Sequence, residues 1–480
     1  MKYRIVKLLD RLHWLWLALA VPFLLFPTPK RSLAMLVIPG LWLLNWLEYR
    51  WSPNRALGST QPGAPDRQPV LPYTPLNLVL LLLALMVLVS LWATYDIANS
   101  LPKISGMVLG FGVYFAIVRE GDRPRGWWVC LLVFSGLALG MTILGLAGTD
   151  WLTYKITLLN PIIARLPLLI KGLPGAESGF SPNEIAGSLL WVLPLFLSLC
   201  MGCLWYFRTL FRSSGKVRTV LLLIVLLIAS LFVSAVFVLT QSRAGYISLA
   251  LTLMALILIA LPARVRWPVL AALVVILLGS GFLVASHWEA AQAWITGSDL
   301  VSETGLSLSS LDLRLLIWPR AVSAIQDFPI TGMGMNAFRK VVYTLYPIYT
   351  ISSDRDFGHA HNEFLQAALD LGIPGLIAFI AIYIVAFKML AELWKTTHST
   401  SGGNLRSSLF PNPVLIRPLV LGLGGGLFAH LLYGLTDAVA LGAKPGILFW
   451  MLLALISGLY KQLCIANYLD VPLKNIARHK

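Results

Sequence analysis

The feature that most constrains this chain is a recurrence of apolar runs, each about 15 to 23 residues long, along almost its whole length. A bilayer core of about 30 Å is crossed by roughly 20 helical residues, and a backbone in lipid must satisfy its own N–H and C=O groups, which a helix does within one segment. The pattern predicts an all-α polytopic membrane protein with about 12 transmembrane helices, a count that rests on the apolar runs alone. These runs are Leu12–Phe26, Leu33–Leu47, Leu76–Tyr95, Leu101–Val118, Trp127–Ala147, Glu184–Phe207, Val220–Thr240, Ala244–Leu261, Trp267–His287, Gly372–Leu390, Pro418–Thr436 and Gly446–Leu463. The first two are short and also suit one tilted or re-entrant hairpin, because Lys30 and Arg31 in their link resist translocation. Composition excludes a soluble globule: 58% of the 480 residues are hydrophobic and 12% charged, against about 45–50% and 25% in soluble domains.

A net charge of +16 raises the question of nucleic acid, and the distribution of that charge answers it. With the N-terminus inside, roughly two in three of the Lys and Arg fall in cytoplasmic segments, among them Lys2, Arg4, Lys7 and Arg11, then Arg119, Arg123 and Arg125, then Arg208, Arg212, Lys216 and Arg218. This is the positive-inside bias of a membrane protein with both termini cytoplasmic, not a nucleic-acid surface. The start lacks a small-x-small cleavage site and reads as an anchored helix. All four cysteines lie in or beside apolar runs, and Cys200-Met-Gly-Cys203 has neither a second pair nor a nearby histidine, so no disulfide, redox or metal role is expected of them.

The chain reads as a single membrane domain over 1–480, without internal repeats. Ser52–Pro75 and Thr396–Pro413 have linker composition. Two outer segments, Gly148–Ser181 and Trp288–Leu371, are too long and patterned for connectors. The large outer loop at 288–371, between the ninth and tenth spans, contains a helical pattern from Asp312, a candidate N-cap, with Leu311, Leu315, Trp318, Val322 and Ile325 forming an apolar face along the membrane interface. A turn cluster follows, with Gly332 and Gly334 free to adopt positive φ, and from about Ala360 a helix runs into the tenth span. Ser181-Pro-Asn-Glu184 has the form of a capping box opening the sixth.

Several side chains stand out on the outer side. Arg243, between two spans, is either a snorkelling anchor or a partner for phosphate. Arg314 on the loop helix suits a pyrophosphate through its permanent charge and planar donor fork, or else pairs with Asp312, Asp354 or Asp356; Arg320 is its reserve. His359 and His361, in His-Ala-His-Asn362, offer a proton acceptor near neutrality, a helix-capping pair, or a sparse zinc site. Asp437, with Tyr433 and His430, is polar where lipid penalises it and should face the bundle interior.

These residues resemble the O-antigen ligase and polymerase superfamily of membrane glycosyltransferases. Ser242-Arg-Ala-Gly245 is similar to its Ser-Arg-Gly-Gly element, with alanine in place of a glycine. Arg314, Trp318, Ala321, Pro329, Gly332, Gly334, Asn336 and Phe338 follow the pattern of its large outer loop, and His361-Asn362, nine residues, then Gly372-Ile-Pro-Gly375 fits its H-N-x9-G-x-x-G signature without a gap. With Asn183-Glu-Ile-Ala186, Leu189 and Pro194, the resemblance covers 181–458.

The resemblance implies an inverting, metal-independent enzyme of the bacterial inner membrane, active face outward and without cofactor. It would move a glycan from a polyprenyl diphosphate carrier to a hydroxyl on a lipid, glycan or protein acceptor. Arg243 and Arg314 would hold the diphosphate, and His361 would take the acceptor proton. His359, Asn362, Arg320 and Asp437 would support them. The carrier would enter sideways, through a cleft between the loop helix and the spans. A polysaccharide polymerase would use the same parts, and a transporter of a small bicarbonate-like anion is the reading from another class, disfavoured by the lack of repeats.

Overall fold

The computed structural model describes mainly residues 12–25, 30–51, 71–121, 125–149, 179–287, 310–348, 356–399, 413–439 and 441–465. Among the described residues every regular element is helical, apart from one isolated parallel bridge between Thr149 and Phe180. In chain order the helices are α1 (His13–Leu25), α2 (Val37–Trp51), α3 (Asn77–Ala93), α4 (Ile97–Gly121), α5 (Gly126–Gly148), α6 (Pro182–Leu190), α7 (Leu193–Trp205), α8 (Phe207–Ser214), α9 (Lys216–Leu239) and α10 (Arg243–Ala260). They continue as α11 (Ala263–Ser286), α12 (Ser310–Asp327), α13 (Phe338–Leu345), α14 (Glu363–Ser399), α15 (Ile416–Tyr433) and α16 (Ile447–Tyr460).

The count of twelve spans is where the structure is more sparing. Among the described residues, seven helices are long and apolar enough to cross a membrane, or eight if α6 and α7, bent by 42° at Trp191–Val192, make one span. At 1.5 Å per residue, the 13 residues of α1 reach only about 20 Å, short of a hydrocarbon core. The second apolar run opens as a 3-10 turn, Arg31–Leu36, before α2 begins. Ser181 sits at the N-cap of α6 with Pro182 at the first position, but its side chain makes no capping hydrogen bond, so the expected capping box is only positional.

The bundle core forms around α4 and α16, the two most buried long helices. Gly110 lets the indole of Trp450 lie flat against α4, and a Cβ there would come within 2.2 Å of it. Polar ties are few but specific: Trp127 donates to the Leu455 carbonyl at 2.9 Å, and the Tyr114 hydroxyl lies 2.9 Å from Ser457 and 2.8 Å from Thr74. In a low-dielectric interior such bonds are costly to leave unmade, which fixes the register between the helices.

A smaller core sits at the end of the bundle that carries the loop. Leu313, Ile317, Ala321 and Ala324 of α12 pack on Phe338 and Val342 of α13, with Phe357 and Leu369. Leu315 and Val322, on the apolar face expected along the membrane interface, are exposed, and the packing against the loop core is made by the neighbouring face. The side chains of Leu311 and Asp312 lie outside the described residues, and with them the proposed cap. The small residues Ala321 and Ala324 carry the contact, a choice that hydrophobicity alone does not flag.

Helix α14 does run from the loop end into a long apolar segment, as expected, but it is broken at Gly372, which holds φ 70°. The turn cluster docks into this break: Met333 N–H donates to the Leu369 carbonyl at 2.8 Å and Ile373 N–H to the Pro329 carbonyl at 2.7 Å. Side chains at 332 or 372 would strike backbone, within 2.6 Å and 2.2 Å respectively. The glycines of the two motifs are therefore one joint, and it sets where the chain before α14 must lie.

Candidate functional site

That chain is Gly358-His-Ala-His-Asn362. Asn362 ends it by capping α14, its Oδ1 accepting from Phe364 and Leu365 N–H at 3.0 Å each, while its Nδ2 donates to the Leu435 carbonyl at 2.9 Å. Trp318 of α12 donates to the Ala360 carbonyl at 3.0 Å, and Gln366 accepts from Ala360 N–H at 2.9 Å. Held from both sides, His361 adopts φ 48°, a left-handed conformation that a non-glycine residue keeps only when its surroundings impose it.

Both histidines of this segment face Asp437, which follows α15 and is 3% exposed. His359 Nε2 lies 3.4 Å and His361 Nδ1 3.5 Å from the same oxygen, Oδ1. Ala438 N–H donates to that oxygen at 2.9 Å, and the Tyr433 hydroxyl lies 3.1 Å from Oδ2. His359 Nδ1 accepts the His361 N–H at 3.1 Å, which places its own proton on Nε2, toward the carboxylate. Burial in the cavity wall pushes the His359 pKa down to about 3, so this ring stays neutral. For Asp437, burial works toward a higher pKa, but its interactions with His361, His359 and Arg314 outweigh it and hold the carboxyl below the usual range.

Of the two arginines, Arg314 is tied to the chain beside this carboxylate. Arg314 Nε donates to the carbonyl of Thr436, next to Asp437, at 2.9 Å. Arg243 is the first residue of α10, and Ser242 before it caps α10 by accepting from Gly245 N–H at 3.4 Å. The candidate partner Asp356 pairs with Arg339 and Lys340 rather than with Arg314, and Asp354 lies outside the described residues. Arg320 binds the Leu316 and Pro347 carbonyls and stays within the loop core.

Around His359, His361 and Asp437 lies a cavity of about 210 Å³. Its wall includes Lys103, Asn183, Glu184, Asn336 and Arg339, and neither Arg243 nor Arg314. Lys103 is a site residue that motif reading passes over. Its signal is a lone cation inside an apolar run, with a buried partner: Asp370 Oδ2 lies 3.2 Å from its Nζ. Asp370 Oδ1 accepts from Asn336 N–H at 2.9 Å and from Gln366 at 2.8 Å, and Asn336, at φ 65°, exchanges amide hydrogen bonds with Asn99. His430 faces the bundle interior, as expected, fully buried and stacked on Trp191 with Nδ1 3.5 Å from Glu363.

Chemically, this arrangement provides an imidazole oriented by a carboxylate beside permanently charged donors. The donor atoms of His359, His361 and Asp437 also lie within 4.8 Å of one another, close enough to share a cation.

Comparison with known proteins bears on what such a site serves. Residues 228–380 match the family model described as O-antigen ligase. The superfamily resemblance therefore holds. The matched region contains Arg243, Arg314, His359, His361 and Asn362, while Asp437 lies beyond it. The chain is similar to a putative polysaccharide ligase of Rickettsia felis, 25% identical over 245 residues that make up 50% of this chain and 57% of that protein. A second putative polysaccharide ligase, from Rickettsia conorii, is 25% identical over 283 residues, 58% of this chain and 64% of that protein. The exopolysaccharide production protein ExoQ of Rhizobium meliloti is 28% identical over 101 residues, 20% and 23% of the two chains. The O-antigen ligase region thus sits in a chain that spans less than two thirds of each of these relatives.

Proposed function

We propose that this protein transfers a glycan from a polyprenyl diphosphate carrier to an acceptor hydroxyl. The observation that carries the reading is the approach of His361 Nδ1 to buried Asp437, at 3.5 Å, in a cavity whose wall also holds Lys103 and Arg339. With Nδ1 facing the carboxylate at 3.5 Å, Nε2 of His361 is the atom that takes the acceptor proton, and Asp437 stabilises the imidazolium that results. The freed hydroxyl oxygen attacks the anomeric carbon, the bond from that carbon to the diphosphate oxygen breaks, and attack from the opposite face inverts the centre. Negative charge grows on the leaving diphosphate. Arg314 and Arg243 are assigned to it, since preorganised guanidinium donors stabilise such charge without a metal. His359, kept neutral, and Asn362, which caps α14, hold His361 in place.

The twelve crossings expected from the apolar runs would put this end of the bundle outside the bacterial inner membrane and both termini in the cytoplasm, in line with the charge bias. The acceptor is a lipid, glycan or protein hydroxyl. The name of the ExoQ relative favours one further reading, chain growth of an exopolysaccharide, with a second lipid-linked glycan as acceptor. The test is the lipid-linked glycan pool of cells with and without the gene. Accumulation of polyprenyl diphosphate glycan on deletion is expected; an unchanged pool, with bicarbonate uptake by proteoliposomes of the purified protein, would replace transfer by transport.

A further inference from the structure

A second and larger space opens on the lipid-facing side of the bundle, a cleft of about 810 Å³ bounded by α1, α4, α5 and α16. Its α5 wall is one helix face: Val129, Val133, Leu137, Gly140 and Leu144 recur at intervals of three and four, and the four larger side chains are exposed between 45% and 54%. Among the described residues, a Cβ built at Gly140, on this wall, meets nothing within 4 Å. From Val129 to Leu144 the wall runs roughly 22 Å, more than half of a hydrocarbon core of about 30 Å.

The two ends of the cleft differ. At the end away from the loop it is crossed by a hydrogen bond from Trp14 Nε1 to Glu120 at 3.3 Å. At the loop end it is lined by Phe180 and Lys444, whose chain neighbours Ser181 and Ala443 line the cavity of His361 and Asp437. Lys444 thus stands at the loop end of the cleft, one residue along the chain from the wall of the reactive cavity. The depth of the cleft matters as well. An acyl chain of a lipid in the near leaflet ends about midway through the core, whereas this groove continues past that depth, which suits a longer linear hydrocarbon.

We infer that this groove binds the polyprenyl tail of the lipid-linked donor, with Lys444 at its phosphate end, so that the carrier enters beside α1 and α5 rather than between the loop helix and the spans. The inference rests on the transfer reading for the identity of the occupant. Tail and head are then read by different chemistry: the groove contributes apolar area without directional bonds, and Lys444 contributes charge.

The experiment uses the full chain in phosphatidylcholine vesicles with a polyprenyl phosphate bearing a diazirine near its tail end, and diazirine phosphatidylcholine as the control. Expected is labelling of α5 and α16 by the polyprenyl phosphate in excess of the control, lost in Gly140→Leu and reduced about five-fold in Lys444→Ala, the factor expected for one lysine near an anionic head group. Equal labelling by both probes, or labelling on α10 and α12 that Gly140→Leu leaves unchanged, would overturn the inference. Glycan transfer is measured in the same vesicles. Groove labelling without transfer contradicts the transfer reading and keeps the groove, whereas transfer at the wild-type rate in Gly140→Leu keeps the reading and removes the groove.

Discussion

Two buried carboxylates stand at the same end of this bundle, both near one cavity, and they are used in opposite ways. Asp370, fully buried, is met by the Lys103 ammonium, by the Gln366 amide and by Asn336 N–H. It ties α4, the turn cluster and α14 into one block. Asp437 is met by two imidazoles, a tyrosine hydroxyl and one backbone N–H. Its partners include groups that can gain or lose a proton, so it can answer a change at His361 without moving. Burial alone does not mark a reactive carboxylate; the titratability of its partners does.

The sharpest way to break this contrast is Asp437→Asn, which keeps a polar side chain beside Tyr433 and Ala438 but removes the charge that orients His361. Glycan transfer should fall by about 10²–10⁴-fold, the range for loss of general base catalysis, with little change in Tm. Asp370→Ala should do the reverse and cost about 3–5 kcal/mol of stability by leaving Lys103 uncompensated in a buried pair, read as a lower Tm. Lys103→Met combined with Asp370→Leu should recover most of that loss, and failure to recover would mean that Asp370 is more than a tie. Arg314→Ala should weaken binding of a polyprenyl diphosphate, measured in detergent, by roughly ten-fold or more, as for one charged hydrogen bond.

A pH titration sharpens the same comparison. The folded-state pKa of His359, about 3, lies below its ordinary 6.5. Stability drawn from its neutral form is complete above about pH 6.5 and is lost as pH falls toward 3, because the unfolded chain takes up the proton first. Asp437, also depressed, adds its own loss only below its ordinary 3.8. Tm should therefore fall from pH 7 to pH 4 in the wild type and fall less in His359→Gln; parallel curves would place His359 in a different environment. The smallest expected effect is none: EDTA should leave transfer unchanged, while loss on chelation and recovery with zinc would reassign His359, His361 and Asp437 as metal ligands.

Much of this could be read from the chain beforehand, and what could not has a physical reason. Apolar runs of membrane length are strong signals, so helices were legible, but crossing depends on length and bends that hydropathy does not report, as α1 and the α6–α7 break show. The spacing from His361 to Gly375 located the site segment, because it encodes a joint: Asn362 caps, Gly372 breaks the helix, and Gly332 fits into the break. Asp437 was legible only as a polar residue out of place, since its pairing with His361 spans 76 positions of sequence. Lys103 was hidden among apolar neighbours on α4, and its partner Asp370 lies on α14. Pairings between distant helices are decided by packing, for which one sequence carries little local signal.

The most direct test of the account is transfer of labelled glycan by the purified protein in proteoliposomes, comparing wild type with His361→Gln at matched occupancy of a polyprenyl diphosphate donor. The account predicts donor binding within a factor of about two and transfer lower by about 10²-fold or more. Transfer at the wild-type rate by His361→Gln would contradict it.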